Sequence, residues 1–135
     1  HVVNACQPYK NSELSFYEKL EDIDSTENSI LLLSGFIHYV KNPLEYLEMF
    51  SSLPSKTWLL DRVPILAMNE DKIMVQHVPK KFYKASYPSW LFGKASWYEK
   101  LNNFGEIKDS FPSIDGKVGT LSFDMEFQGF LLERS

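Results

Sequence analysis

At 135 residues, with 44% hydrophobic and 24% charged residues, the chain is long enough for one domain with its own core and ordinary in composition for a globular protein. A formal charge of −4 gives no footprint for nucleic acid, and the single cysteine, Cys6, excludes an internal disulfide and a cysteine-based zinc site. No apolar run approaches the ~20 residues of a membrane span and no signal-peptide pattern is present, so a cytoplasmic protein without a membrane partner is expected.

In chain order, Val2-Val3 reads as the end of a strand, and an opening on His1 without Met reads as the downstream part of a longer domain. Leu14–Tyr17 is a candidate short strand. Ser29–Gly35 is a continuous apolar run ending in small residues, the pattern of a strand buried on both faces. Asn42-Pro43 marks a helix start, with Asn as N-cap and Pro at the first helical position. Leu44, Leu47, Phe50 and Leu53 then recur at helical spacing until Pro54. Thr57–Arg62 is a second buried strand, and strand–helix–strand with short links is a βαβ unit. A hairpin or flap inserted at about residues 64–90 follows, with Ile73–Val78 strand-like after the turn-prone Asn69-Glu70-Asp71. A helix is expected over Lys94–Asn103, with Trp97, Tyr98 and Leu101 on one face and Gly105 as its stop. Ile107–Phe111 and Glu126–Arg134 close the chain as strands separated by a loop containing Asp115-Gly116. The expected fold is a single α/β domain over 1–135, a mostly parallel sheet with an antiparallel C-terminal hairpin.

Candidate chemistry gathers at the C-terminal ends of these strands, where open α/β sheets form their ligand crevice. Two roles are open to His38, a general base and a packed neutral imidazole. Asp61 and Arg62 end a buried strand, either as a structural ion pair or as pocket walls. Tyr83, Ser86, Tyr87 and Trp90, beside Lys81 and Lys84, suit a lid over a sugar or an anion, or a packed loop with solvated lysines. Gln76 and His77 lie on the flap, where strand alternation sends one inward and one outward. No cluster of ligating residues at metal-site spacing occurs, so no metal is expected. The charges are uneven: acids dominate Leu14–Phe50, whereas His77–Tyr98 contains Lys80, Lys81, Lys84 and Lys94 and no acid.

Ser34-Gly35-Phe36-Ile37-His38-Tyr39-Val40-Lys41-Asn42-Pro43 resembles the segment after the fourth strand of class I S-adenosylmethionine-dependent methyltransferases. The ordered segments Leu60-Asp61-Arg62-Val63-Pro64, Val75-Gln76-His77-Val78-Pro79, Tyr83–Trp90 and Gly129-Phe130-Leu131-Leu132 resemble a family of bacterial methyltransferases often associated with surface-polysaccharide biosynthesis. The resemblance implies the C-terminal part of a Rossmann-like methyltransferase fold that lacks the first strand. It also implies S-adenosylmethionine as cofactor, near Asn4, Ser34 and Gly35, and a small-molecule acceptor, such as a sugar or polysaccharide precursor. His38 and Asp61 would then be the catalytic candidates, and Arg62, Gln76, Tyr83, Ser86, Tyr87 and Trp90 the acceptor-binding ones. Two departures accompany it. None of the six glycines forms a G-x-G after an apolar strand, and Asn4 stands where that family places a ribose-binding acid. The implied sheet therefore calls for an N-terminal partner segment or a second copy to complete it. The alternative is a non-catalytic, degenerate methyltransferase-like binding or assembly module.

Overall fold

The structure, a computed structural model, describes residues 2–119 and 124–135. Its centre is β2 (Thr57–Leu66), whose residues are mostly half-buried or buried. One edge of β2 pairs with β6 (Asp124–Glu133), antiparallel along nearly its whole length. The opposite edge is shared: β1 (Ile30–Ser34) pairs in parallel with its first half, and β4 (Ser86–Gly93) joins in parallel only at Ile65 and Leu66. β3 (Lys72–His77) is antiparallel to β4, and β5 (Glu106–Gly119) is antiparallel to β6. The order is β3-β4-β2-β6-β5, with β1 beside β2.

The C-terminal hairpin and the β1–α2–β2 unit agree with expectation, whereas the mostly parallel sheet gives way to a mixed one in which antiparallel ladders predominate. The reason is the length of β2. Pro64, Ile65 and Leu66 extend the strand, all buried, so β4 and β6 find backbone partners beyond the end of β1. Asp115-Gly116 also falls inside β5 rather than in a connecting loop. There the ladder shifts register between Pro112 and Lys117, and Gly116 takes a φ of +64° that glycine adopts without strain. The connection between β5 and β6 includes residues 120–123, outside the described residues.

Two helices cover one face. α2 (Pro43–Phe50) starts with proline at its first position, though the Asn42 side chain makes no capping hydrogen bond. It stops where Ser51 Oγ donates to the carbonyls of Leu47 and Glu48, hydrogen bonds that compete with the next turn. Arg134 then ties down this end, its guanidinium donating to the carbonyls of Ser51, Leu53 and Ser55. α3 (Lys94–Asn102) presents Trp97 and Leu101, both fully buried. Register puts Leu31 beside Trp58 and Leu33 beside Leu60, and these in turn beside Leu132 and Phe130 of β6. This single face, packed on Leu47, Trp97 and Leu101, is the core.

The opposite face of β1 is bare, so this strand is not buried on both faces as its apolar run suggested. Ile30 and Leu32 are 64% and 59% exposed, and among the described residues β1 pairs with β2 alone. Parallel strands are ordinarily covered on both faces. The N-terminal segment does not supply that cover. Val2–Cys6 forms a short helix, α1, rather than the end of a strand, and buries no residue. No strand forms at Leu14–Tyr17, which is mostly exposed. Neither stretch joins a sheet edge, and local hydrogen bonding prevails there.

Candidate functional site

The C-terminal ends of β1 and β2 converge on one polar cluster. Gly35 follows β1 with a φ of +62° and donates its N–H to the Asp61 carbonyl at 3.0 Å. Asp61 is half-buried at the end of the parallel ladder. Its Oδ1 accepts from Ser113 Oγ at 2.6 Å, and its Oδ2 lies 3.4 Å from Ser34 Oγ. Arg62 sits in the bulge that shifts the β2–β6 register between Leu60 and Val63, at a φ of +59°. Such a conformation costs a non-glycine residue about 1 kcal/mol or more and persists only where neighbours enforce it. The enforcing contacts are visible. The Arg62 N–H donates to Ser113 Oγ at 3.1 Å, and its guanidinium grips Asp115 with two bonds of 2.6 and 3.1 Å. Asp115 holds the Arg62 pKa above its usual value, first through the hydrogen bond and then through charge.

His38 is 3% exposed, its ring tilted against Tyr39 at 4.0 Å between ring centroids and edged by Phe127 at 6.2 Å. Its Nδ1 is buried without a hydrogen-bond partner. Burial, reinforced by the Arg62 cation and partly offset by Asp115, pushes its pKa down to about 4. The imidazole is therefore neutral at neutral pH.

The β3–β4 hairpin closes over this loop. The Trp90 N–H donates to the His38 carbonyl at 2.8 Å, and its indole Nε1 donates to the Val40 carbonyl at 3.1 Å. Tyr39 Oη donates to Gln76 Oε1 at 2.9 Å, and the Tyr39 and Tyr87 rings meet edge to face at 5.3 Å. The Tyr87 phenol is shifted above its ordinary pKa by desolvation, then by the neighbouring phenols of Tyr39 and Tyr83. Alternation sends Gln76 inward and His77 outward, a choice the sequence left open.

Of the sequence candidates, the structure brings together Ser34, Gly35, His38, Asp61 and Arg62, with Gln76, Tyr87 and Trp90 arriving on the hairpin. Trp90 acts on the loop through its backbone and its indole N–H. Tyr83 is exposed beside Tyr87, and Ser86 is exposed opposite His77. Asn4, expected at the end of a strand, instead lies exposed on α1. Sequence reasoning missed Tyr39, Ser113, Asp115 and Phe127. Only Asp115-Gly116 carried a signal, a turn-type pair whose register against β2 no spacing rule supplies. A separate, mainly apolar cavity of about 260 Å³ lies on the far side of Trp90, between Pro43 and Trp97. Its lining includes the Lys100 ammonium, paired with Asp71, and the buried Trp97 indole nitrogen, which has no hydrogen-bond partner.

The cluster includes no cradle for the methionine part of S-adenosylmethionine. Gly35 is the glycine at the end of β1, and its N–H is already bonded to Asp61. A ribose-binding acid is also missing from the position Asn4 was expected to fill. The described residues do not, by themselves, fit the cofactor.

No protein-family model matches the chain, and no curated protein matches it. Among solved structures, the N-terminal domain of EvdMO1, crystallised with SAH bound, superposes with a TM-score of 0.50 at 14% identity, covering 78% of this chain and 46% of that one. The same domain in the presence of SAH and D-fucose gives a TM-score of 0.50, 14% identity and coverage of 78% and 47%. The likeness is one of fold alone, an α/β domain with a mixed strand order. The chain spans just under half the length of these neighbours. Among the described residues no helix is long and apolar enough to cross a membrane, and no group of three or more metal-ligating side chains occurs.

Proposed function

We propose that this chain forms the acceptor-side portion of an S-adenosylmethionine-dependent methyltransferase acting on a small hydroxylated molecule, a sugar or polysaccharide precursor. One observation carries the proposal. His38, Asp61 and Arg62 meet at the C-terminal ends of two parallel strands, in a fold shared with a domain crystallised with SAH. The fold alone warrants no activity, so the weight rests on the cluster.

This chain's residues hold and orient an acceptor. The Nδ1 of His38 is buried without a hydrogen-bond partner, an unsatisfied polar atom beside the cluster. As a neutral imidazole it offers a lone pair for a hydroxyl proton, and its low basicity delays that transfer until the hydroxyl oxygen has begun to bond. Asp61, fixed by Ser113, offers a second acceptor. Tyr39, Gln76 and Tyr87 form a polar rim suited to sugar hydroxyls. The glycine-rich turn would come from a strand–helix portion docked on the open edge of β1, covering Ile30 and Leu32. An upstream segment can supply it, whereas a second copy could cover the edge but carries no such turn.

A second reading, a non-catalytic methyltransferase-like module, is favoured by the absence of the glycine-rich turn. Calorimetric titration with S-adenosylmethionine decides between them. It is performed on the 135-residue chain and on the chain extended to the start of its reading frame. Binding by the extended chain alone is expected. Binding by neither overturns the enzyme, and binding by the short chain overturns the need for a completing portion.

A further inference from the structure

The β3–β4 hairpin carries a surface that methyl transfer does not use. From Lys72 to Tyr98 the sequence contains five lysines and no aspartate or glutamate, in a chain of net charge −4. Lys80, Lys81 and Lys84 are exposed in the turn between β3 and β4. Phe82, in the same turn, is 68% exposed, with Lys81 Nζ 5.0 Å from its ring centroid.

The alternation that points Gln76 toward Tyr39 points Ile73 and Val75 the other way, 59% and 55% exposed. Pro88, opposite Val75, is exposed too. The hairpin thus has a polar inner side over the site and an apolar outer side capped by lysines. β4 joins β2 only at Phe92 and Gly93, so the tip stands away from the sheet. The nearest acids along the hairpin, Glu70 and Asp71, lie at its base. A six-residue strand puts them about 20 Å from the tip, more than two Debye lengths of ~8 Å at physiological salt.

We propose that the tip and outer face of this hairpin dock on an anionic lipid surface. The lysines meet headgroup phosphates, while Phe82 and the Ile73–Val75 edge reach the acyl boundary. An open cleft of about 660 Å³, bounded by His77, Lys80, Lys84 and Ser86, is of a size to receive a headgroup. The exposed lysines and Phe82 of the turn argue for a bilayer: a turn mixing lysine and aromatic side chains can enter a deformable surface end-on, whereas a rigid protein face would need a matching shape. The charge is complementary to anionic lipid and opposite to that of the chain as a whole. A contact of this kind requires neither a spanning helix nor a leader, the two features on which the expectation of no membrane partner rested. It is also independent of methyl transfer.

The test is co-sedimentation with vesicles of phosphatidylcholine alone and of phosphatidylcholine with about 30% phosphatidylglycerol, at ~0.05 M and ~0.5 M NaCl. Binding to the anionic vesicles only, weakened at high salt, is expected. K80A/K81A/K84A should lose about fivefold per lysine and about a hundredfold together, and Phe82→Ser about tenfold. All four positions are exposed, so an unchanged Tm would show that the fold is intact. Absence of binding, equal binding to neutral vesicles, or indifference to the variants overturns the proposal. Release by millimolar inorganic phosphate assigns the lysines to a soluble anion and overturns it too. So does a lipid-free, salt-sensitive dimer abolished by K80A/K81A/K84A, which assigns the surface to a second copy.

Discussion

Acidification should destabilise this protein through His38, and the size of the effect follows from its burial. The folded imidazole has a pKa of about 4, against about 6.5 unfolded. Between these values the unfolded chain binds a proton that the folded chain refuses, so stability falls as pH drops and is recovered as pH rises. Above pH 6.5 both states are neutral and His38 makes no difference. At pH 5 the two constants give a loss of about 2 kcal/mol, and below pH 4 a limiting loss of about 3 kcal/mol. Urea denaturation of the wild type and of His38→Gln at pH 7.5 and pH 5 isolates the term, because the carboxylates titrate alike in both proteins. Between the two pH values the wild type should lose about 2 kcal/mol more than the variant. Equal losses would refute the argument, as would a His38 ring resonance in NMR that titrates above pH 6.

Two further outcomes follow from packing and hydrogen bonding. A methyl group added at Gly93 would collide with backbone, overlapping the Asn69 carbonyl and standing 2.7 Å from Glu70 N, whereas at Gly129 it would collide with the Phe111 ring. Backbone cannot step aside as a half-buried ring can, so Gly93→Ala should cost about 3 kcal/mol or more and Gly129→Ala about 1–2 kcal/mol, measured by chemical denaturation. Ser113→Ala strands the Arg62 N–H and one oxygen of Asp61. It should cost about 1–3 kcal/mol by the same measurement, and an unaltered stability would show that the bulge does not depend on this hydroxyl.

Much of the frame was legible in the residues. The strand at Ile30–Ser34, the start of α2 at Pro43, the Trp97 and Leu101 face of α3 and the C-terminal hairpin follow from local rules of propensity and period, although β1 is covered on one face only and the Asn42 side chain does not cap α2. Those rules act over a few residues, so one sequence suffices to apply them. His38, Asp61 and Arg62 were equally visible, because strand ends in an α/β pattern announce where a crevice forms.

What only the tertiary structure decided was long-range register. The extension of β2 through Leu66, the attachment of β4 beyond the end of β1, and the arrival of Ser113 and Asp115 at Asp61 and Arg62 join residues more than 20 positions apart. No local pattern encodes such pairings, because backbone hydrogen bonds are chemically alike at every residue and the choice among them is made by the packing of the whole. The same is true of Val2-Val3. Their apolar side chains suit a strand, but the segment joins no sheet edge and closes its hydrogen bonds on itself as a helix. Sequence determined which residues want burial and where chemistry gathers, and the fold determined which of them meet.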